Sequence, residues 1–253
     1  MDTDKRPERK ARRIKLAAIR AKVECLGYGH LSAADLSSSD IHFGPMTLEK
    51  DHLPQYFEIY KGDIQMPRDG YVSNSWPRFK PDPWENARNL QFFLDKFVSH
   101  PVLPQNDRYP IGPRYRDYGD FPNFGLLLES HAPRWQVQTA WDMPDHRPHM
   151  KCMVIHATEG DERLLRGELL TIIDIIRGRL SHKATRASVN APILLFSFMG
   201  SCARMLEANM DSEGLVVRAT RLYDFKEEED VDFSLSRFFA RWWMGHPADM
   251  STS

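Results

Sequence analysis

The chain has little cysteine: Cys25, Cys152 and Cys202 lie far apart, with no C-x-x-C spacing. An odd, unpatterned set excludes a disulfide scaffold and points to reduced thiols, hence to an intracellular protein of the cytoplasm or nucleus. Long apolar runs are missing too. No stretch nears the ~20 residues that a membrane-spanning helix needs, and no membrane association is expected. The opening MDTDKRPERKARRIK is charged, with no apolar segment behind it to act as a secretory signal. Its arginines resemble those of a mitochondrial presequence, but Asp2, Asp4 and Glu8 speak against one. Excess charge of one sign is absent: 34 Lys+Arg against 35 Asp+Glu leave −1, so the chain as a whole is not a basic nucleic-acid binder. The sequence holds no G-x-S-x-G elbow, G-x-x-x-x-G-K-[ST] loop, G-x-G-x-x-G turn or H-E-x-x-H pair, and no cofactor is expected.

What remains is a globular composition, 42% hydrophobic and 27% charged. At 253 residues one domain with an appendage is expected, large enough to fold around its own core without a metal or disulfide staple. Three parts are distinguishable. Residues 1–40 read as a basic helical arm and linker. Leu16, Ile19, Val23 and Leu26 recur at helical spacing, Gly27 suits the helix end, and the run Ser32 to Asp40 reads as a linker or a set of caps. Residues 41–245 read as a single α+β domain, and residues 246–253 as a tail.

Within that domain, residues 41–150 hold 14 of the 17 prolines, which excludes long helices and central strands from most of the stretch. One helix is predicted, with Asp82 as N-cap, Pro83 in the first turn, Glu85 completing a capping box, and a face of Trp84, Ala87, Leu90, Leu94 and Phe97 ending at His100-Pro101. Asp69-Gly70 marks a turn from which Tyr71-Val72 begin a short strand. Residues 99–123 show no regular element, yet Tyr109, Tyr115, Tyr118, Phe121 and Phe124 in and beside them argue against disorder.

Residues 124–245 carry the sheet. Strands are predicted at Phe124–Leu128, at Trp135–Trp141 with Trp135, Val137, Thr139 and Trp141 on one face, and at Lys151–Ala157. Thr158 and Asp161 are predicted to cap a helix carrying Leu165, Leu169, Ile172, Ile176 and Leu180. Pro192–Met199 reads as a strand covered on both faces, followed by Ala203–Met210 and Leu215–Tyr223 joined through Gly214. Glu227–Asp232 reads as a solvated loop and Phe233–Trp243 as a closing amphipathic helix. The expected fold is α+β: an antiparallel or mixed sheet with packed helices, a Pro-rich, loop-dominated middle and an N-terminal basic helix.

Four groups could carry function. Residues 1–24 hold a net +5 against −6 for the rest, which suits an import signal or phosphate contacts through Arg9, Lys10, Arg12 and Arg13. The stretch 107–124 sets Arg108-Tyr109, Arg114-Tyr115 and Tyr118 close together, residue types that anchor interfaces or stack on ligands. His146, His149, Cys152 and His156 are good zinc ligands by type, but their x2, x2, x3 spacing matches no recognised ligand set and no metal is expected. Finally, the order helix, three strands, helix over residues 161–243 resembles the core of restriction-endonuclease-like nucleases. Glu168, Glu207 and Asp211 would supply acids there, yet Val217–Arg221 lacks the acid–lysine pair of the third strand. Ser197, Ser201 and Cys202 have no histidine placed by sequence to activate them.

The segment Pro192–Gly200, with Arg204–Ala208 and Leu222–Phe225, is similar to segments of uncharacterised intracellular proteins of filamentous fungi. The resemblance covers residues 190–225 and implies a lineage and a shared domain, with no activity attached. The expected function is that of a non-catalytic intracellular protein binding a macromolecular partner, protein or nucleic acid, through the aromatic/Arg loop or the basic arm. The alternatives are an enzyme assembled from Glu129, His131, Asp142 and His146, or a degenerate nuclease fold.

Overall fold

The computed structural model describes residues 5–27, 29–48, 52–62, 64, 77–99, 114–115, 126–143, 147–226 and 233–248. It is α+β. Among the described residues five α-helices, α1 (Arg6–Glu24), α2 (Ala33–Ser38), α3 (Pro83–Ser99), α4 (Arg166–Ser181) and α5 (Ser234–Met244), and a 3-10 turn at Lys183–Thr185 accompany eleven strands. The strands are β1 (Ile41–Pro45), β2 (Phe57–Glu58), β3 (Arg114–Tyr115), β4 (Leu128–Glu129), β5 (Trp135–Asp142), β6 (Met150–His156), β7 (Ile193–Met199), β8 (Cys202–Met210), β9 (Leu215–Ala219), β10 (Tyr223–Asp224) and β11 (His246–Pro247).

The main sheet has the order β1-β9-β8-β7-β6-β5-β3, with β4 beside β5 and β10 continuing beside β8. It is mixed. β5–β6 and β7–β8–β9 are antiparallel, while β6 and β7 are parallel across the α4 crossover, and β1 runs parallel to β9. A parallel join needs such a crossover, whereas antiparallel neighbours need only a turn. The β7–β8 turn places Gly200 at φ +60°, a left-handed conformation that glycine adopts without steric cost.

Two apolar layers sandwich the sheet. Leu16, Ile19 and Val23 of α1 and the Leu/Ile stripe of α4 pack with Ile193, Leu195 and Leu206 on one face. Leu90, Phe93 and Phe97 of α3 and Phe239 and Trp243 of α5 pack with Leu194, Phe196 and Phe198 on the other. All seven residues of β7 are buried, as its unbroken apolar run predicts for a strand covered on both sides.

The departures from expectation have local causes. In β5 the register slips between Val137 and Thr139. This bulge spends one extra residue, so Trp135 and Val137 face the α4 side while Trp141 faces α3 and α5, and the expected single-faced stripe is broken. The crossover helix starts at Arg166, not at Thr158. Its start is fixed by Glu168, whose carboxylate accepts the Leu165 N–H at 2.7 Å, whereas Asp161 closes a local turn on Arg163 N at 2.8 Å. Ser32 and Asp35 do form a reciprocal capping box, which makes the expected linker a short helix, α2. Asp82 accepts Trp84 N at 2.9 Å at the start of α3, while Glu85 turns outward to Lys80. Within residues 99–123, Arg114–Tyr115 do form a strand, β3, paired with Asp142 and Trp141. The stretch after α5 begins with β11, which pairs with β2. The Tyr71-Val72 strand, most of the 99–123 stretch, Phe124 and the 227–232 loop lie outside the described residues.

Lys151 shows how a charge is accommodated between the layers. The side chain is wholly buried, and its three donors go to Trp242 O, Trp243 O and Gly245 O at 2.7–2.8 Å, closing the carboxyl end of α5. Burial pulls its pKa well below the ordinary lysine range. Lys151→Met leaves those carbonyls without their donor and is expected to cost about 2–4 kcal/mol. Urea unfolding checks this; an unchanged midpoint would show that α5 is held by other contacts.

Candidate functional site

Because β1, β9, β7 and β6 run the same way, their carboxyl ends, at Pro45, Ala219, Met199 and His156, gather along one edge of the sheet. In open sheets of this kind ligands bind outside the carboxyl ends of the strands. A groove of about 680 Å³ opens there, lined by Phe43–Leu48, Glu162, Ala219–Arg221 and Tyr223. Its volume falls in the range of ligand clefts, and most of its lining is apolar.

Two features of the sequence shape this groove. The first is the pair Arg204–Glu168, both fully buried, with contacts of 2.6 and 2.9 Å. Arg204 also donates to Asp161 O at 3.2 Å and Arg163 O at 2.7 Å, which pins the loop carrying Glu162 against β8. Burial alone would raise the Glu168 pKa, but the charge and hydrogen bonds of Arg204 bring it below the ordinary value. The second is a register slip after β9. Thr220 still pairs with Met205, but Tyr223 pairs with Ala203, so the intervening Arg221-Leu222 hold one residue more than the partner strand. A bulge re-aims the side chain it carries. Here it leaves Arg221 exposed at the groove, its guanidinium 4.6 Å from the Tyr223 ring centroid.

The groove adjoins the edge strand β1, whose outer side pairs with no described strand. Met46 N donates to Ala219 O, and Leu215 N to Asp40 O, so the even-numbered residues of this stretch turn their backbone groups toward β9. Ile41 and Phe43 therefore present N–H and C=O outward, and Pro45, which has no N–H, ends the row. No described residue bonds to those outward groups. The opposite edge differs, since β3 and β4 cover β5. Phe43 is 43% exposed.

The described residues among those singled out in the sequence fall elsewhere. Arg9 is buried, with its guanidinium on the carbonyls of Thr185, Arg179, Leu180, His182 and Ser188, the last four at 2.5–3.3 Å. It closes the carboxyl end of α4. Arg12 is likewise turned inward, to Asn190 Oδ1 at 2.6 Å and to Met210 O. Lys10 is exposed, and Arg13 reaches Ser181 Oγ at 3.3 Å. The helix is thus docked, and half of its named cations are consumed by packing. Arg108, Tyr109 and Tyr118 lie outside the described residues, and Arg114 and Tyr115 are placed only as backbone of β3.

The chemical sets do not assemble. Glu168 lies on the α4 face of the sheet, whereas Glu207 lies on the other, held by Arg218 and by Gln55 N and Tyr56 N at 2.9 and 2.7 Å. Asp211 caps the β8–β9 turn through Glu213 N and Gly214 N. Glu129 and His131 sit at one end of β5 and Asp142, paired with Arg179 at 2.6 Å, at the other, separated by eight residues of strand or roughly 23 Å. His146 is outside the described residues. Among the described residues no three His, Cys, Asp or Glu side chains are placed to hold a metal ion. Ser201 Oγ donates to Asp224 Oδ1 at 2.8 Å, and burial, then the Asp224 charge, push the Cys202 thiol pKa up, the reverse of an activated nucleophile. Phe43, Glu162 and Arg221 escape sequence reading because nothing in their spacing is distinctive. The one available signal is Pro45 closing the short strand Ile41–Pro45, a mark of an edge.

Comparison of the chain with protein-family models, curated proteins and solved structures gives no match.

Two buried histidines set a pH limit on this architecture. His149 has both ring nitrogens buried without a hydrogen-bond partner among the described residues, and its ring stands edge-on to Phe57 at 5.4 Å. Burial, aided by Arg147, lowers its pKa to about 3. Burial likewise lowers His156 to about 4 against the opposing charge of Glu168. Both folded values lie below the unfolded 6.5. Unfolding therefore takes up protons, and stability present above pH 6.5 is lost as pH falls toward 4 and 3. Between pH 7 and pH 5 the two together are expected to cost about 3–4 kcal/mol. Urea midpoints at the two pH values check this, and His149→Phe should remove about half of the difference. An equal difference in native and variant protein would contradict it.

Proposed function

We propose that the protein is a non-catalytic, intracellular binding module, and that it engages an extended segment of another protein along β1 and the groove at the carboxyl edge. The observation that carries this reading is the open row of backbone groups on Ile41 and Phe43 running directly into that groove. An extended chain satisfies such a row by adding a strand, while pockets beside the edge select its side chains. Here the half-exposed Phe43 and the apolar floor favour a nonpolar side chain, and Arg221 at the rim favours an acidic one. A second copy of β1 fits less well. Antiparallel pairing about His42 would set the partner's Asp40 opposite Gly44 and drive the partner's α2 toward the groove mouth. Catalysis lacks support among the described residues, since the groove lining holds one carboxylate, Glu162, and one guanidinium, Arg221, and no nucleophile–base pair.

Panning a library of random 12-residue peptides against the full chain tests this. Selected peptides are expected to combine an apolar and an acidic residue and to lose tenfold or more in affinity, about 1.4 kcal/mol or more, toward Phe43→Asp. Peptides that bind the variant as well as the native chain would refute the assignment. So would a native dimer that Phe43→Asp dissolves.

A further inference from the structure

We infer that a second surface, where α1 crosses the carboxyl end of α4, binds the phosphate backbone of nucleic acid. The two helices run antiparallel. Arg166 reaches Val23 O and Glu24 O at one end, Arg20 pairs with Asp174 at 2.8 Å in the middle, and Lys5 donates to Ala187 O at the other. On α1, Arg9 and Arg12 project inward with Leu16, Ile19 and Val23, so Arg6, Lys10 and Arg13 occupy the flank nearest α4. Ser181 receives Arg13, and the following turn carries Lys183 and Arg186, both exposed. These cations converge from two parts of the sequence about 175 residues apart, a separation Arg9 spans in binding Thr185 O.

Among the described residues, the acids nearby are spoken for. Asp174 is shared by Arg20 and Arg177, Glu24 is taken by Arg20, and Glu8, on the other flank of α1, is taken by Arg12. Lys10, Arg13, Lys183 and Arg186 make no ion pair with a described carboxylate. The surface consists of the flank of α1, the carboxyl end of α4 and the turn after it, and it offers repeated like charge. Repeated charge along a surface matches the regular phosphates of a nucleic-acid backbone, which bind by neutralisation of several charges in series. It also resolves the basic segment into two uses: the inward arginines hold the fold, and Lys10, with Lys183 and Arg186 of the turn, is exposed while Arg13 is half-buried between them. This surface is distinct from the groove and does not depend on it.

Fluorescence anisotropy of a labelled 20-base-pair DNA duplex with the full chain tests the inference. Binding is expected at 50 mM salt, weakening with a log–log slope of about −3 to −4 for roughly four phosphates neutralised. The exposed-residue variant Lys10→Glu/Lys183→Glu/Arg186→Glu is expected to lose tenfold or more and most of the slope, with an unchanged urea midpoint. Should the triple variant not fold, Lys183→Glu alone is expected to lose two- to fourfold. Phe43→Asp should leave DNA binding unaltered, which separates this surface from the groove. No binding by the native chain at 50 mM salt, undiminished binding by the charge-reversed variants, or displacement by polyglutamate at equal charge would overturn it.

Discussion

The arrangement of the whole carboxyl edge depends on one ion pair that water does not reach. Arg204 and Glu168 are both removed from solvent, and either alone would leave a buried charge costing several kcal/mol. The pair therefore acts as a constraint on geometry more than as a source of net stability. It holds the central strand β8 to the first turn of α4, and through Asp161 O and Arg163 O it also fixes the loop between them. That loop in turn receives the chain before α2, since Leu31 donates to Leu164 O at 2.8 Å and Arg166 to Gly29 O at 2.7 Å. The groove wall, the start of the crossover helix and the path of the N-terminal segment thus follow from a single contact.

The two edges of the sheet are treated differently, and this asymmetry carries the functional reading. The β5 side is closed by β3 and β4. The β1 side is short, ends in proline and keeps an aromatic ring half in water, which limits uncontrolled association, and four of its backbone groups are unpaired among the described residues. The two proposed docking surfaces would use different physics. At the groove, directional backbone bonds and apolar burial would dominate, with little influence of salt; at the α1–α4 flank, screened charge would dominate.

Elements whose local pattern agrees with their tertiary setting were legible in the sequence. The apolar run of β7, the helical stripe of α1 and the Asp82-Pro83 start of α3 each needed only their own residues. The start of α4 was not, because the Thr158/Asp161 pattern competes with a cap that only Glu168 can make once Arg204 neutralises it. The stripe of β5 was misread for a similar reason: a bulge is invisible in an alternation that looks intact from Trp135 to Trp141. The candidate site was the least legible part. Arg9 and Arg12 look like surface cations by composition, and only long-range contacts show that they close α4 and β8. Phe43 and Arg221 lie about 178 residues apart and meet through the parallel pairing of β1 with β9, which no local pattern encodes.

Hydrogen exchange of the free chain at single-amide resolution tests the open edge most directly. The Ile41 and Phe43 amides should exchange with little protection while those of His42 and Gly44, turned toward β9, exchange slowly. Uniformly slow exchange along β1 would show that the edge is already covered, and the proposed docking site would have to be abandoned.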